Sequence, residues 1–252
     1  KMNWDEPTKK PGTNISFIPY LSAGTTKNFE NPELSNDSFE GGFDLKYAVT
    51  PALNLDLTVN PDFSQVESDV TKIDVNSQFA INYREKRPFF NEGKDILSSL
   101  GNLVYSRSIN NPIFASKIVN QGEKSRIYFL TSYDMDTPYL VPGEDRSYMG
   151  KAEESFGNIL RYQRIYPNGS NIGLLTTNRF YKGGGMGNLI AGDANIRLNK
   201  TYRVNFDFAH SMTEEPNNDW ISTDDMVNGK SISLNGEKFS GNKIGIGLNR
   251  ST

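Results

Sequence analysis

The sequence predicts an all-β fold, an antiparallel transmembrane β-barrel, and three observations predict it. The first is the alternation from Gly41 to Asn60. Phe43, Leu45, Tyr47 and Val49 fall on one face, and Gly42, Asp44, Lys46 and Ala48 on the other. After a turn at Thr50-Pro51-Ala52, Leu53, Leu55, Leu57 and Val59 alternate with Asn54, Asp56, Thr58 and Asn60. A period of two is the strand period, so this is a hairpin with one apolar face and one polar, charged face. The second observation is that the same pattern recurs to the end of the chain. The third is that connections alternate in length. Those near 50–52, 121–124, 167–170 and 199–200 are short, while 24–40, 61–111, 134–155 and 213–230 are long, as in membrane barrels. A soluble sandwich or a lipocalin-like barrel is the competing architecture.

The remaining elements follow in order. Ile15–Ala23 reads as a strand, with Pro19 marking an edge or bulge. Pro112–Asn120 and Ser125–Tyr133 pair through Gln121-Gly122. Phe156–Tyr166 and Asn171–Tyr181 pair through Pro167-Asn168-Gly169. Gly187–Asn199 and Thr201–Met212 pair around Asn199-Lys200, and Ile244, Ile246 and Leu248 continue the alternation. About ten strands result, near the minimum for a small barrel. Residues 1–14 read as a linker and 15–252 as the barrel domain. No aromatic closing strand ends the chain, so the expectation is the N-terminal part of a larger barrel. Residues 61–111 hold neither period and read as an insertion that plugs or covers the lumen.

Composition narrows the function classes. Only 36% of the 252 residues are hydrophobic and mean hydropathy is -0.58. That excludes helical spans, which need about 20 consecutive apolar residues, but not barrel strands. The net charge of -3 gives no basic bias toward nucleic acid. With no cysteine there is no disulfide and no thiolate chemistry. No secretion signal opens the chain, so the expectation is a mature or partial chain.

Candidate functional residues centre on the insertion. Asp62, Glu67 and Asp69, with Asp74, Asn60 and Gln65, offer oxygen ligands to a cation, although their spacing is not that of a calcium loop. The run Glu85-Lys86-Arg87-Pro88-Phe89-Phe90-Asn91-Glu92 combines charges with aromatics. It suggests a segment held in the lumen by ion pairs, with Arg87 and Glu92 facing Asp44, Lys46 and Asp56, and Arg107 nearby. Lys182-Gly183-Gly184-Gly185 lacks the ending of a phosphate loop and reads as a turn. His210 sits late in a strand, shares parity with Phe206 and Phe208, and reads as interfacial rather than catalytic. Trp4 and Trp220 are candidates for an aromatic girdle. No serine elbow or acid pair suggests catalysis, so no enzyme and no cofactor is expected.

Val59–Asp69 (VNPDFSQVESD), Glu85–Gly93 (EKRPFFNEG), Tyr105–Ile109 (YSRSI) and Leu174–Arg179 (LLTTNR) resemble a family of Bacteroidota outer-membrane proteins. In that family a barrel domain of unknown function commonly follows a domain similar to family 9 carbohydrate-binding modules. This chain has Tyr83-Arg84 where the family usually has Phe-Pro, and Ser108 where it usually has a second arginine. The resemblance implies the outer membrane, lipid contact, and a glycan ligand or other outer-membrane proteins as partners. It implies channel passage or surface uptake of a nutrient such as a glycan fragment. The alternative is a non-catalytic structural or partner-binding subunit.

Overall fold

The computed structural model describes residues 14–26, 36–61, 85–101, 103–135, 137–142, 147–152, 154–218, 226–227, 230–231 and 234–250. Ten antiparallel strands form one sheet. In chain order they are β1 (Asn14–Thr26), β2 (Asn36–Ala48), β3 (Leu53–Val59), β4 (Pro112–Gln121) and β5 (Ser125–Asp134). Next comes a separate hairpin, β6 (Thr137–Pro142) with β7 (Ser147–Ala152). The sheet resumes with β8 (Ser155–Ile165), β9 (Asn171–Tyr181), β10 (Met186–Arg197) and β11 (Tyr202–Glu214). Four two-residue strands follow: β12 (Asn217–Asn218), β13 (Met226–Val227), β14 (Lys230–Ser231) and β15 (Leu234–Asn235). They precede the last sheet strand, β16 (Lys238–Arg250). The sheet order is β1-β2-β3-β4-β5-β8-β9-β10-β11-β16, a meander in which sequential strands pair. Among the described residues no helix is long and apolar enough to cross a membrane, which leaves strand crossing untouched.

The expected strand pairs are present, and the differences lie in the connections, where 213–230 also holds β12 and β13. β1 and β2 run further than the alternation indicates, into the expected loop at 24–40. The connection at 134–155 holds the β6–β7 hairpin. Within 61–111, Pro88–Asn91 is a short helix, α1, and Lys94–Leu100 and Ser106–Ser108 are 3-10 turns. Residues 62–84, with the candidate ligands Asp62, Gln65, Glu67, Asp69 and Asp74, lie outside the described residues, as do Trp4 and Trp220.

One face of the sheet exposes large apolar side chains, and the other buries charged ones. Register places Phe17, Leu45 and Leu57 in one cross-strand row. The neighbouring row runs Phe43, Val59, Phe114, Tyr133, Phe156, Phe180. On the same face Leu160, Leu174, Ile190, Phe206, Phe208 and Ile246 are exposed, Ile246 at 78%. This face, here called outer, is not uniformly apolar. Ser116, Thr131, Asn158, Asn178 and Asn188 form one polar row across β4 to β10. Asn178 Nδ2 donates to Asn188 Oδ1 at 2.8 Å, so part of that row is internally satisfied. The opposite face, here called inner, carries Lys117 and Arg161, both 0% exposed, with Asp56 at 3%.

What buries those charges is the insertion. Phe89, Phe90, Ile96, Leu97, Leu100 and Ile109 pack with Ala115, Val119, Tyr128, Leu130, Ile159 and Leu175 of the inner face, in one buried cluster. Burying each large apolar side chain contributes about 1.5–3 kcal/mol. The core therefore lies between the sheet and residues 85–109, here called the plug. Thr58, placed by the alternation on the polar face with Asn54, is fully buried.

Candidate functional site: a plug seated on the polar face

Local sequence shapes the plug before any long-range contact does. Pro88 opens α1, where its missing N–H costs nothing and its fixed φ suits the first helical position. Gly93 closes it in the left-handed region at φ 79°. A side chain there would also meet the Val119 methyls, so glycine serves both the turn and the close approach to the sheet.

Lys117, on β4, anchors the end of this helix. Its Nζ donates to Phe89 O at 2.5 Å and Glu92 O at 3.2 Å. These carbonyls lie at the C-terminal end of α1, where a cation is favoured. The same Nζ lies 3.0 Å from Asp56 Oδ2 and 3.9 Å from Glu92 Oε2. Lys46 pairs with Glu92 at 2.8 Å, and Asn54 Nδ2 adds a bond to Glu92 Oε1 at 3.3 Å. Lys46, Asp56 and Lys117 are direct cross-strand neighbours on β2, β3 and β4, so the charges alternate along one row.

Arg87 behaves otherwise than the sequence suggests. Its partner is Glu85, in the plug itself, with Nε and Nη2 each donating at 2.9 Å to separate carboxylate oxygens. Nη1 and Nη2 also donate to Ile109 O and Ser106 O, at 2.7 Å and 3.1 Å. The bidentate pair stays within the start of the plug, and the two carbonyl bonds tie that start to the plug's end rather than to Asp44, Lys46 or Asp56. Arg87 also stacks over Phe90, 4.1 Å from the ring centre. Lys86 and Arg107, also singled out on sequence, have interactions of their own. Asp44 faces Thr58 and Ile18 across the sheet and acts on Lys46 through its charge.

Several anchors escape sequence reasoning. Arg161 on β8 reaches Asp193 on β10 at 2.5 Å, two strands away. It crosses Gly173 on β9, where any side chain would occupy the guanidinium's place. Its Nε donates to Ile96 O at 3.3 Å. Asp134 accepts from Asn110 N and Asn111 N at 2.6 and 2.7 Å, fixing the chain as it rejoins β4. Arg179 donates to Ser108 O and Oγ at 2.9 and 3.2 Å. A glycine inside an alternating strand, as at Gly173, is the one sequence signal for the Arg161 crossing.

Burial pushes the Glu92 carboxyl up, but hydrogen bonding to Lys46 and the charges of Lys117 and Lys46 outweigh it, so its pKa is lowered. Burial likewise opposes ionisation of Glu85, and Arg87 with Ser106 reverses the balance to leave a lowered pKa. A carboxyl with a lowered folded pKa adds stability above its unfolded value, here about 4.5, and loses it as pH falls through the folded value. Amide exchange in Phe90 and Ile96, corrected for intrinsic rates, should therefore accelerate relative to the strands in acid, and less so in Glu92→Gln. Equal protection from neutral pH to about pH 2 would show that these carboxylates do not hold the plug.

Among the described residues no cluster of three His, Cys, Asp or Glu side chains is placed to hold a metal. His210 sits on the outer face, with Nδ1 2.8 Å from Asn242 Oδ1. At one rim Glu154 accepts from Lys182 at 2.5 Å and from the Tyr133 hydroxyl.

Residues 11–129 match a family model described as a domain of unknown function (DUF5916). The chain is similar to that family there. The match covers just under half the chain and takes in β1 to β4, the first half of β5 and the plug. It includes Lys46, Asp56, Glu92 and Lys117, but not Arg161 or Arg179. No curated protein and no solved structure matches the chain.

Proposed function

We propose that this chain forms wall and plug of an outer-membrane β-barrel that passes or captures a polar nutrient, such as a glycan fragment, along its inner face. The observation that carries the membrane reading is the inversion of the two faces. Large apolar side chains point outward and exposed, while Lys117, Arg161 and Asp56 are buried inward. Water outside would favour the opposite arrangement, whereas lipid outside favours this one. Passage is supported by what the plug leaves uncovered. On β11 and β16 the inner face presents Asn205, Asp207, Ser211 and Lys243, each at least part-exposed. The glycan class comes from the family resemblance alone. A second reading, a non-catalytic anchor or partner-binding subunit, is favoured by the dryness of the seat, where Phe90 and Ile96 are 1% exposed.

Single-channel conductance of the full-length protein in a planar bilayer separates the two. Asn60 N–H donates to Ile113 O at 2.8 Å, so β3 and β4 lie close enough to be joined by a tight Asn-Gly turn in place of residues 61–111. Under the passage reading the native protein conducts weakly, oligosaccharides block it, and the plugless variant conducts several-fold more. A plugless variant that inserts and stays electrically silent would leave the anchor reading.

A further inference from the structure

Between the end of the plug and the inner faces of β8 and β9 lies a cavity of about 250 Å³. Leu103, Val104, Ile109 and Ile159 give it apolar walls, and Arg179 enters it beside Ser108. Among the described residues three cations are buried, Arg87, Lys117 and Arg161, and each faces a carboxylate. Arg179 does not: the described residues lining this cavity include no Asp or Glu. Among the described residues its hydrogen bonds are the two to Ser108, from Nη1 and Nη2. Of the five guanidinium N–H groups, three are left, including Nε–H. Gly157 keeps room beside them, for a Cβ there would stand 3.8 Å from Nη2 and 3.9 Å from Nε.

We propose that this cavity binds a small organic carboxylate. Its two oxygens take the Nε–Nη2 edge of Arg179, and its hydrocarbon body lies against Leu103, Val104, Ile109 and Ile159. One planar cation fits a monovalent, planar anion in a bidentate pair, whereas a phosphate dianion would leave charge uncompensated. Apolar walls with a few directed polar groups are the usual make-up of a small-molecule site, and this volume restricts the ligand to a few carbons. The site depends on the seated plug and not on passage, so conductance and ligand binding can fail independently.

The test is isothermal titration of the full-length protein in detergent with hexanoate, using hexan-1-ol as the uncharged control. Hexanoate should bind, and hexanol about tenfold or more weaker, as expected for loss of a charge-assisted pair. Arg179→Gln should weaken hexanoate by a similar factor. Gly157→Val, which fills the space beside the guanidinium without touching its charge, should do the same with the plug still protected from trypsin. No hexanoate binding by the folded native protein, equal binding of hexanol, or binding unchanged in both variants would each overturn the proposal.

Discussion

Replacing Lys117 with methionine should unseat the plug. The substitution keeps the unbranched stem but leaves Asp56, 3% exposed, as a buried charge without its partner 3.0 Å away. It also strips the carbonyls of Phe89 and Glu92 of their donor. Breaking one side of a buried pair costs about 3–5 kcal/mol, more than the net value of the pair, because the stranded ion cannot be resolvated. Trypsin cleavage after Lys94 and Arg107 should therefore accelerate by two orders of magnitude or more. Two companions locate the cause. Adding Asp56→Leu to Lys117→Met removes both charges and should restore much of the protection, leaving only the lost carbonyl bonds at about 1 kcal/mol each. Lys46→Met breaks the ion pair with Glu92, but the Lys46 side chain is 45% exposed, so the loss should stay within about 1 kcal/mol. If Lys46→Met and Lys117→Met loosen the plug equally, burial does not set the strength of these anchors.

The Lys46–Glu92 contact was legible in the sequence and the Lys117 anchor was not, for a physical reason. In β2 and β3 every second residue is polar, so the alternation alone puts Asp44, Lys46 and Asp56 on one face. Glu92 sits in an insertion that must fold onto something, and that face is the one with matching charge. Lys117 is the single charge in the run Ile113–Asn120, and an isolated lysine in an apolar strand reads as solvent-facing. Only the β3–β4 register, which sets it opposite Asp56, reveals otherwise. Arg161 is harder still, since its partner Asp193 lies two strands away and two registers must be known. Arg87 shows the opposite failure. Long-range pairing was expected of it, yet Glu85 is two residues away in extended chain, where i and i+2 share a side. The local partner wins because almost no chain entropy separates the two. β6 and β7 were hidden by Pro138 and Pro142, which lower strand propensity, although a two-strand hairpin can tolerate proline.

Arginine at Leu160 or Ile190 should abolish outer-membrane assembly, whereas arginine at Asn54 should not. Leu160 and Ile190 are 40% and 42% exposed on the apolar face of central strands. In lipid an arginine near the bilayer midplane costs about 2–4 kcal/mol in a barrel. In water the same substitution on an exposed leucine would be neutral or would raise solubility, so the sign of the effect separates a membrane barrel from a soluble sheet. Asn54 is the inner-face control: it is part-buried, and a guanidinium there can meet Glu92, which Asn54 already contacts. Thr58, the other polar position the alternation pairs with Asn54, is unsuitable, because it is fully buried and a charge there would fail on either reading. The polar row Ser116, Thr131, Asn158, Asn178 and Asn188 refines the expectation. Arginine at Thr131 should do less harm than at Leu160, one residue row away, because its neighbours can share hydrogen bonds with the guanidinium. Heat-modifiable migration of membrane fractions reads the result. Assembly of Leu160→Arg and Ile190→Arg at native yield would remove lipid from the outer face and with it the membrane reading.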